Sequence, residues 1–198
     1  MTTILFRFPE QTLVFRHLYS SIHGDNMISS CCKLSLENGR FVEVYTTKDN
    51  EYRVDLREWE SDRYPSRKGI SLKPDIFKTW TMALDMIDNA LNKNEELHYH
   101  MGSNIFCTIK KDNPCVDIRQ YWQPIGQEPL VPTKKGLCLR PIEYRKLKSH
   151  VAEIGKAIPD FDSLVPCFMR DDHLNQLGLL QCPTCNPLEY TNWWKERV

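Results

Sequence analysis

Two short basic turns in the chain combine cations with a glycine, at residues 67–69 (Arg-Lys-Gly) and residues 134–136 (Lys-Lys-Gly). Each turn follows a strand-like stretch that ends in aromatic residues, Trp59 in the first case and Tyr121 with Trp122 in the second. Cations that follow a phosphate backbone and rings on which bases stack are the two components of a single-strand binding groove. A Lys-Gly pair before a strand is usually only a solvated turn, so the hypothesis depends on the repetition of the whole pattern.

The basic turns belong to a longer internal repeat. The stretches 52–60 (YRVDLREWE) and 114–122 (PCVDIRQYW) share the order Val-Asp-apolar-Arg, followed by aromatic residues. After each basic turn comes a short alternating run and then a proline, Pro74 or Pro141. Because the same features recur in the same order, we expect two units with the same fold.

The elements that must position these residues are strands followed by a helix. Residues 40–46 and 104–110 alternate in polarity, which is typical of strands. After each proline, apolar residues recur three and four positions apart, which predicts one amphipathic helix of about five turns per unit. A lone sheet with one helix buries little apolar area, so we expect the two helices to pack together with coiled-coil-like seams and form an intramolecular pseudo-dimer. The alternative is that each helix covers only its own sheet. The predicted interface consists of Phe77, Trp80, Leu84, Ile87, Leu91, Tyr144, Leu147, Val151, Ile154 and Ile158.

Composition limits the other classes of protein. The 198 residues include 26 basic and 26 acidic side chains, so no overall charge attracts a polyanion and binding must depend on local patches. No apolar stretch approaches the ~20 residues of a membrane span, and we expect no membrane partner. The N-terminal residues lack the basic start and apolar run of a secretory signal, so we expect reduced cysteines in the cytosol or nucleus.

The doubled pattern resembles the signature of the transcriptional coactivator family known as positive cofactor four. The resemblance covers residues 32–94 and 101–159, flanked by an N-terminal extension, 1–31, and a cysteine-containing C-terminal extension, 160–198. It implies an α+β fold with a curved, four-stranded antiparallel sheet and a helix in each unit. It further implies helix-mediated pairing of the units, grooves that bind single-stranded or unwound DNA, and no enzymatic activity.

The candidate groove residues follow from this resemblance together with strand geometry. Side chains two apart in a strand share a face, which places Arg57 beside Asp55 and Arg119 beside Asp117. These arginines are candidates for phosphate contact; the alternative is that they form surface ion pairs with the aspartates, worth ~0–1 kcal/mol each. The full set of candidate nucleic-acid-binding residues is Arg57, Trp59, Arg67, Lys68, Lys110, Lys111, Arg119, Tyr121, Trp122, Lys134 and Lys135.

The two units differ in charge. Residues 40–94 hold ten basic and ten acidic side chains, whereas residues 103–158 hold ten basic and five acidic ones. Glu60 also occupies the place in the first unit that Trp122 occupies in the second. A carboxylate beside phosphate is unfavourable, so we expect the second unit to dominate binding, with a strong salt dependence.

The C-terminal extension contains Cys167, His173, Cys182 and Cys185. Cys-x-x-Cys is a plausible half of a zinc site, and a further cysteine and histidine complete four ligands, although the overall spacing is unusual. The alternative is that the thiols bind nothing or form a labile disulfide, in which case no cofactor is expected. A redox role is disfavoured because no βαβ pattern surrounds the motif.

These features agree to different degrees with three classes of function. The leading expectation is a non-enzymatic single-stranded DNA-binding protein of transcription, replication or repair, in the nucleus or another DNA-containing compartment. Its partners would be single-stranded or unwound DNA and proteins of transcription or replication. The sequence does not distinguish DNA from RNA, because a stacking groove accepts both. The alternative is a protein-interaction scaffold whose grooves bind nucleic acid weakly. An enzyme is disfavoured, because the six histidines form no nucleophile-base signature and no glycine-rich phosphate loop is present.

Overall fold

The computed structural model describes residues 27–61, 64–122, 130–173 and 176–187. Residues 1–26 of the predicted N-terminal extension lie outside these ranges, whereas residues 27–31 belong to the first strand. None of the helices in these ranges combines the length and apolar character that a membrane span needs.

Two four-stranded antiparallel sheets form the framework, which confirms an α+β fold with two tandem units. In each sheet the strands follow one another in chain order. The second sheet begins at Leu97, before the predicted boundary at residue 101, and therefore includes His98 and His100. The first sheet consists of β1 (Met27–Glu37), β2 (Arg40–Thr47), β3 (Tyr52–Ser61) and β4 (Tyr64–Leu72). The second consists of β5 (Leu97–Gly102), β6 (Ile105–Lys110), β7 (Asn113–Trp122) and β8 (Val131–Leu139).

The strand register makes the two units comparable residue by residue. Phe41 pairs with Arg57 in the first sheet, as Phe106 pairs with Arg119 in the second. On the other side of each arginine lies the glycine of the basic segment, Gly69 or Gly136. The sequence repeat therefore corresponds to a repeat of structure. The prediction that these segments are turns is wrong, because both lie within strands, β4 and β8, beside an irregularity of the register. The name basic turn is kept for residues 67–69 and 134–136.

The helices of the two units differ. The second unit has one helix, α3 (Pro141–Lys156), whereas the first has α1 (Pro74–Met82) and α2 (Leu84–Lys93), separated at Ala83. The N–H of Ala83 bonds to the carbonyl of Trp80, 3.0 Å away, which is the tighter three-residue spacing. The prediction of one continuous helix is therefore wrong for the first unit, and Ile158 lies beyond the end of α3.

The helices join the units through a shared core. One hydrophobic cluster contains residues from both sheets and all three of these helices. The rings of Trp80 and Tyr144 meet edge to face, with centroids 6.3 Å apart. However, α3 packs mainly on β1 of the first unit, and α1 also contacts β5 of the second. The expected coiled-coil seam is thus replaced by helices that cross onto the opposite sheet. Fully or nearly buried members of the predicted interface are Phe77, Trp80, Ile87, Tyr144, Leu147, Ile154 and Ile158, and partly buried members are Leu84, Leu91 and Val151.

A buried ion pair also links the units. The side chain of Glu143 is 0% exposed and lies 2.6 Å from Nη1 of Arg40 on β2. Asn38 Nδ2 donates to the other carboxylate oxygen at 3.0 Å. Glu143 also accepts a hydrogen bond from the backbone N–H of Arg140, which caps the start of α3.

Candidate nucleic-acid interface

An arginine–aspartate clamp occupies the centre of each sheet. Arg57 Nε and Nη2 donate to the two carboxylate oxygens of Asp55 at 2.8 and 2.9 Å. Arg119 makes the same bidentate pair with Asp117 at 2.8 and 2.9 Å. The hydrogen bond that Arg119 donates to Asp117 is the main reason that the pKa of Arg119 is raised. The structure therefore contains the ion pairs of the alternative interpretation, in which each arginine pairs with the aspartate two residues before it.

The clamps are more than surface ion pairs, because they also hold the basic turns. Arg57 Nη1 donates to the carbonyl of Ser66 at 2.9 Å, and Arg119 Nη1 donates to the carbonyl of Thr133 at 2.8 Å. The hydroxyl of Ser66 accepts the backbone N–H of Lys68 at 3.1 Å, and the hydroxyl of Thr133 accepts that of Lys135 at 3.1 Å. Both arginines thus act as positioning residues for the lysines beside them.

The glycines of the basic turns permit this arrangement. A Cβ added at Gly69 would lie 2.5 Å from the carbonyl oxygen of Leu56 and 2.9 Å from the Cα of Arg57. A Cβ at Gly136 would lie 2.7 Å from Cγ of Arg119. The Lys-Gly pattern therefore has a packing cause, since only glycine lets the two strands approach the clamp so closely.

The cations of the turns are exposed, but their surroundings differ. Arg67, Lys68, Lys134 and Lys135 are all exposed. Lys68 Nζ lies 3.0 Å from a carboxylate oxygen of Glu58. By register, the position equivalent to Glu58 in the second unit holds the neutral Gln120.

A further pair of predicted cations, Lys110 and Lys111, lies exposed at the turn between β6 and β7. Hydrogen bonds from the first unit fix the conformation of this turn. Asn94, at the end of α2, donates through Nδ2 to Asp112 at 2.8 Å and accepts the backbone N–H of Asp112 at 2.9 Å. The position of these lysines therefore depends on the packing of the two units.

Aromatic rings cluster on one surface of the second sheet. The rings of Phe106 and Tyr121 are 5.0 Å apart at 69°, and His98 lies 4.5 Å from Phe106 and 5.9 Å from Tyr121. Phe106 and His98 were not among the predicted site residues, although the alternation of residues 104–110 was a signal for the former. We define the second-unit face as His98, Phe106, Thr108, Lys110, Asp117, Arg119 and Tyr121.

Trp122 lies next to this face rather than on it. Its side chain is 56% exposed. Because neighbouring side chains in a strand alternate, it projects from the opposite surface of β7 to Tyr121. The two predicted stacking residues of the second unit are thus separated by the strand.

The equivalent surface of the first sheet is closed. Trp59 is 6% exposed, its ring lies 5.8 Å from that of Phe41, and Lys33 Nζ sits 3.0 Å from the ring centroid. This cation–π contact covers the surface on which a base would stack. By register, the first-unit face consists of Lys33, Phe41, Glu43, Tyr45, Asp55, Arg57 and Trp59.

A basic cleft of about 550 Å³ separates the two units. Residues of both sheets line it, including Ser71 from the first and Gln120 from the second. Arg53 and Lys73 were not predicted as site residues, because neither belongs to the repeated motif. The cationic side chains of the lining are Arg53, Arg57, Arg67, Lys73 and Lys135.

The four predicted metal-ligand residues come together in the C-terminal segment. The ligand atoms of Cys167, His173, Cys182 and Cys185 all lie within 4.8 Å of one another. The segment contacts the second sheet at the hairpin between β5 and β6, where the carbonyl of Thr184 accepts the backbone N–H of Ser103.

Comparison with known proteins agrees with the geometry of the second unit. A family model described as Transcriptional Coactivator p15 (PC4) matches residues 101–150, from the end of β5 into α3. No curated protein and no solved structure matches the chain. The first unit lies outside the family match but shares the sheet order and register of the second. Residues 101–150 of the chain are therefore similar to a transcription coactivator family.

Proposed function

We propose that this chain is a non-enzymatic protein that binds single-stranded or unwound DNA, mainly through the second unit, and acts in transcription or replication. The observation that carries the proposal is the second-unit face, where clustered rings lie beside exposed lysines. The only carboxylate of that face, Asp117, is already paired with Arg119. The similarity of residues 101–150 to a coactivator family supports the same conclusion.

The proposed binding mode assigns bases and phosphates to different groups. Bases stack on Tyr121 and its neighbouring rings, where each stacked base contributes ~1–3 kcal/mol. Phosphates contact Lys134 and Lys135 at one end of the face and Lys110 at the other. No group of the face reads a base edge in this scheme, so we expect little sequence preference and binding of RNA as well as DNA. The protein would work where such strands occur, in the nucleus or another DNA-containing compartment.

Single-stranded DNA binding is best tested by fluorescence anisotropy. A labelled single strand of about 20 nucleotides would be titrated at about 0.05 M and 0.2 M salt, with duplex and RNA as competitors. The Lys134→Ala/Lys135→Ala variant would be compared with the matched Arg67→Ala/Lys68→Ala variant. Each lost phosphate contact should reduce the slope of log K against log salt concentration by ~0.7. The second-unit variant loses two such contacts, so we expect a ~10- to 30-fold loss of affinity. The first-unit variant is expected to lose only ~2- to 3-fold, since Lys68 is paired with Glu58.

A second pair of variants separates stacking from charge. Tyr121→Ala removes a ring of the second-unit face, whereas Trp122→Ala removes the exposed ring on the opposite surface of β7. Because bases stack on Tyr121 in the proposed mode, we expect the first variant to weaken binding ~5- to 100-fold and the second to leave it nearly unchanged. No binding of wild type at the lower salt concentration would overturn the proposal. That result would favour the scaffold alternative, which is consistent with the closed first-unit face.

A further inference from the structure

The described residues that follow α3, 157–173 and 176–187, have little regular structure of their own. They contain three short 3-10 helices and one helix, α4 (Gln176–Gln181). Several of their large apolar side chains, including Phe168, Met169 and Leu177, are exposed. A segment of this kind buries too little apolar surface to fix its conformation by packing alone.

The four ligand-type side chains of this segment converge from separate parts of it. Cys167 belongs to one 3-10 helix and His173 to the next, and Cys182 and Cys185 bracket the turn after α4. Cys167 Sγ lies 3.7 Å from His173 Nε2 and 3.3 Å from Cys182 Sγ. Zinc held at about 2.3 Å by sulfur and about 2.0 Å by nitrogen requires ligand–ligand distances of about 3.5–3.8 Å in a tetrahedron. The two distances lie within about 0.5 Å of these values and the four ligand atoms all lie within 4.8 Å of one another, so the cluster is close in size to a tetrahedral site.

The groups around the cluster also fit a metal. The side chain of His173 is 3% exposed, and its Nδ1 lies 2.7 Å from a carboxylate oxygen of Asp172. A carboxylate on one imidazole nitrogen directs the other nitrogen toward a bound metal. The backbone N–H of Cys185 donates to Cys182 Sγ at 3.4 Å, which holds this sulfur at the turn between the two cysteines. The sulfur atoms of Cys167 and Cys182 are too far apart for a disulfide bond, which is about 2.05 Å long.

We propose that Cys167, His173, Cys182 and Cys185 bind one zinc ion and that this site fastens the C-terminal segment to the second sheet. Four protein ligands leave no open position, so the role is structural. The attachment point is the turn between the two last cysteines. There, the carbonyl of Thr184 accepts the backbone N–H of Ser103 at 2.6 Å, at the hairpin between β5 and β6. The zinc proposal is independent of the nucleic-acid proposal.

Metal content tests the proposal directly. The full chain, purified without chelator, would be assayed by elemental analysis, and the thiols would be examined by mass spectrometry. We expect about one zinc per chain and no disulfide among these cysteines. Cobalt replacement should give the visible absorption of a tetrahedral thiolate site. Zinc-free protein that gains no such absorption with cobalt, or a Cys167–Cys182 disulfide, would overturn the proposal.

Two variants and one control locate the site. Cys185→Ser should abolish stoichiometric zinc, whereas Cys115→Ser, in the second sheet, should retain it. Asp172→Asn should leave the ligands in place but weaken zinc affinity ~10- to 100-fold. Retention of one tightly held zinc by Cys185→Ser would overturn the assignment of the ligands.

Hydrogen exchange tests the fastening role. Removal of zinc by a chelator should speed exchange of the Ser103 amide, which donates to Thr184. The Tyr121 amide donates to Asn104 within the sheet and serves as the internal control. Equal exchange of Ser103 with and without zinc would show that the ion does not fasten the segment.

Discussion

The first-unit face and the second-unit face hold the same arginine–aspartate clamp at the same register, but the groups around the clamp differ. In the first unit, the buried Glu43 stands where the second has Thr108. Trp59 is covered by Lys33, whereas the equivalent Tyr121 stands beside His98 and Phe106. The shared clamp maintains the fold of each sheet, and the surrounding side chains are free to differ in function.

The contact between the units is also unequal. In a dimer of identical chains, symmetry makes the two halves of an interface the same. Here, Arg40 and Glu143 form an ion pair in one half of the interface. The positions equivalent to them in the other half hold Ile105 and Ile76, and both of these residues line the cleft between the units. Fusion of two units into one chain removes the symmetry requirement, so that one half is ionic and the other apolar.

The largest expected effect concerns the burial of the two clamps. Asp55 is 1% exposed, whereas the side chain of Asp117 is 20% exposed. Asp55→Ala leaves the Arg57 charge buried and should lower the free energy of unfolding by ~3–5 kcal/mol. Asp117→Ala should lower the free energy of unfolding by only ~1–2 kcal/mol, because water can reach the Arg119 side chain. Urea denaturation measures both values, and equal losses would show that burial does not distinguish the clamps.

The ionic half of the interface gives the next largest effect. Glu143→Ala leaves Arg40 without its buried partner and should destabilise the chain by ~3 kcal/mol. The double variant Arg40→Ile/Glu143→Ile copies the apolar half and should lie within about 1.5 kcal/mol of wild type. Thermal and urea unfolding of Arg40→Ile, Glu143→Ile and the double variant, together with wild type, form a double-mutant cycle. If the double variant is as unstable as Glu143→Ala, the two halves are not interchangeable.

A smaller effect is expected from exchanging the charge beside the basic turns. Glu58→Gln makes the first turn resemble the second and should raise single-strand affinity ~2- to 5-fold. Gln120→Glu makes the reverse change and should lower affinity by a similar factor. Anisotropy titrations at one salt concentration measure both. Unchanged affinity in both variants would mean that this position does not cause the difference between the units.

The smallest expected effect is on the pH dependence of the free energy of unfolding, through Glu58. The hydrogen bond from Lys68 holds the pKa of Glu58 below its ordinary value, against an opposing effect of burial, with Arg40 also lowering it. The stabilisation from Glu58 is therefore fully present above its unfolded pKa of 4.5 and is lost as the pH falls through the lower folded value. Glu58→Gln should be less stable than wild type by ~0.2–1 kcal/mol at pH 7, and the difference should vanish in acid. A constant difference from pH 7 to pH 3 would contradict this linkage.

The repeated strand and helix pattern was enough to predict the two units and their strands. Alternation and three-four spacing reflect local geometry that each segment carries within itself. The break at Ala83 was not predictable in this way, because the apolar spacing continues through it from Trp80 to Ile87. The break arises where the first helix meets the core of both units.

The candidate site was predicted in part, and the omissions have physical reasons. The cations of the basic turns are exposed, as expected for phosphate contacts, although the residues belong to strands and not to turns. His98 and Phe106 were missed because their proximity to Tyr121 depends on the pairing of three strands. The covering of Trp59 by Lys33 likewise joins residues from strands that are distant in sequence.

By itself, the sequence determined the number of units, the order of strands and helix in each, and the set of four ligand-type side chains. These properties follow from local periodicity and from residue type. Only the tertiary structure decided that the arginines are clamps, that the first-unit face is closed, and that Cys167 and His173 meet Cys182 and Cys185. Such contacts depend on strand register and helix crossing, which bring together residues whose separation along the chain carries no local signal.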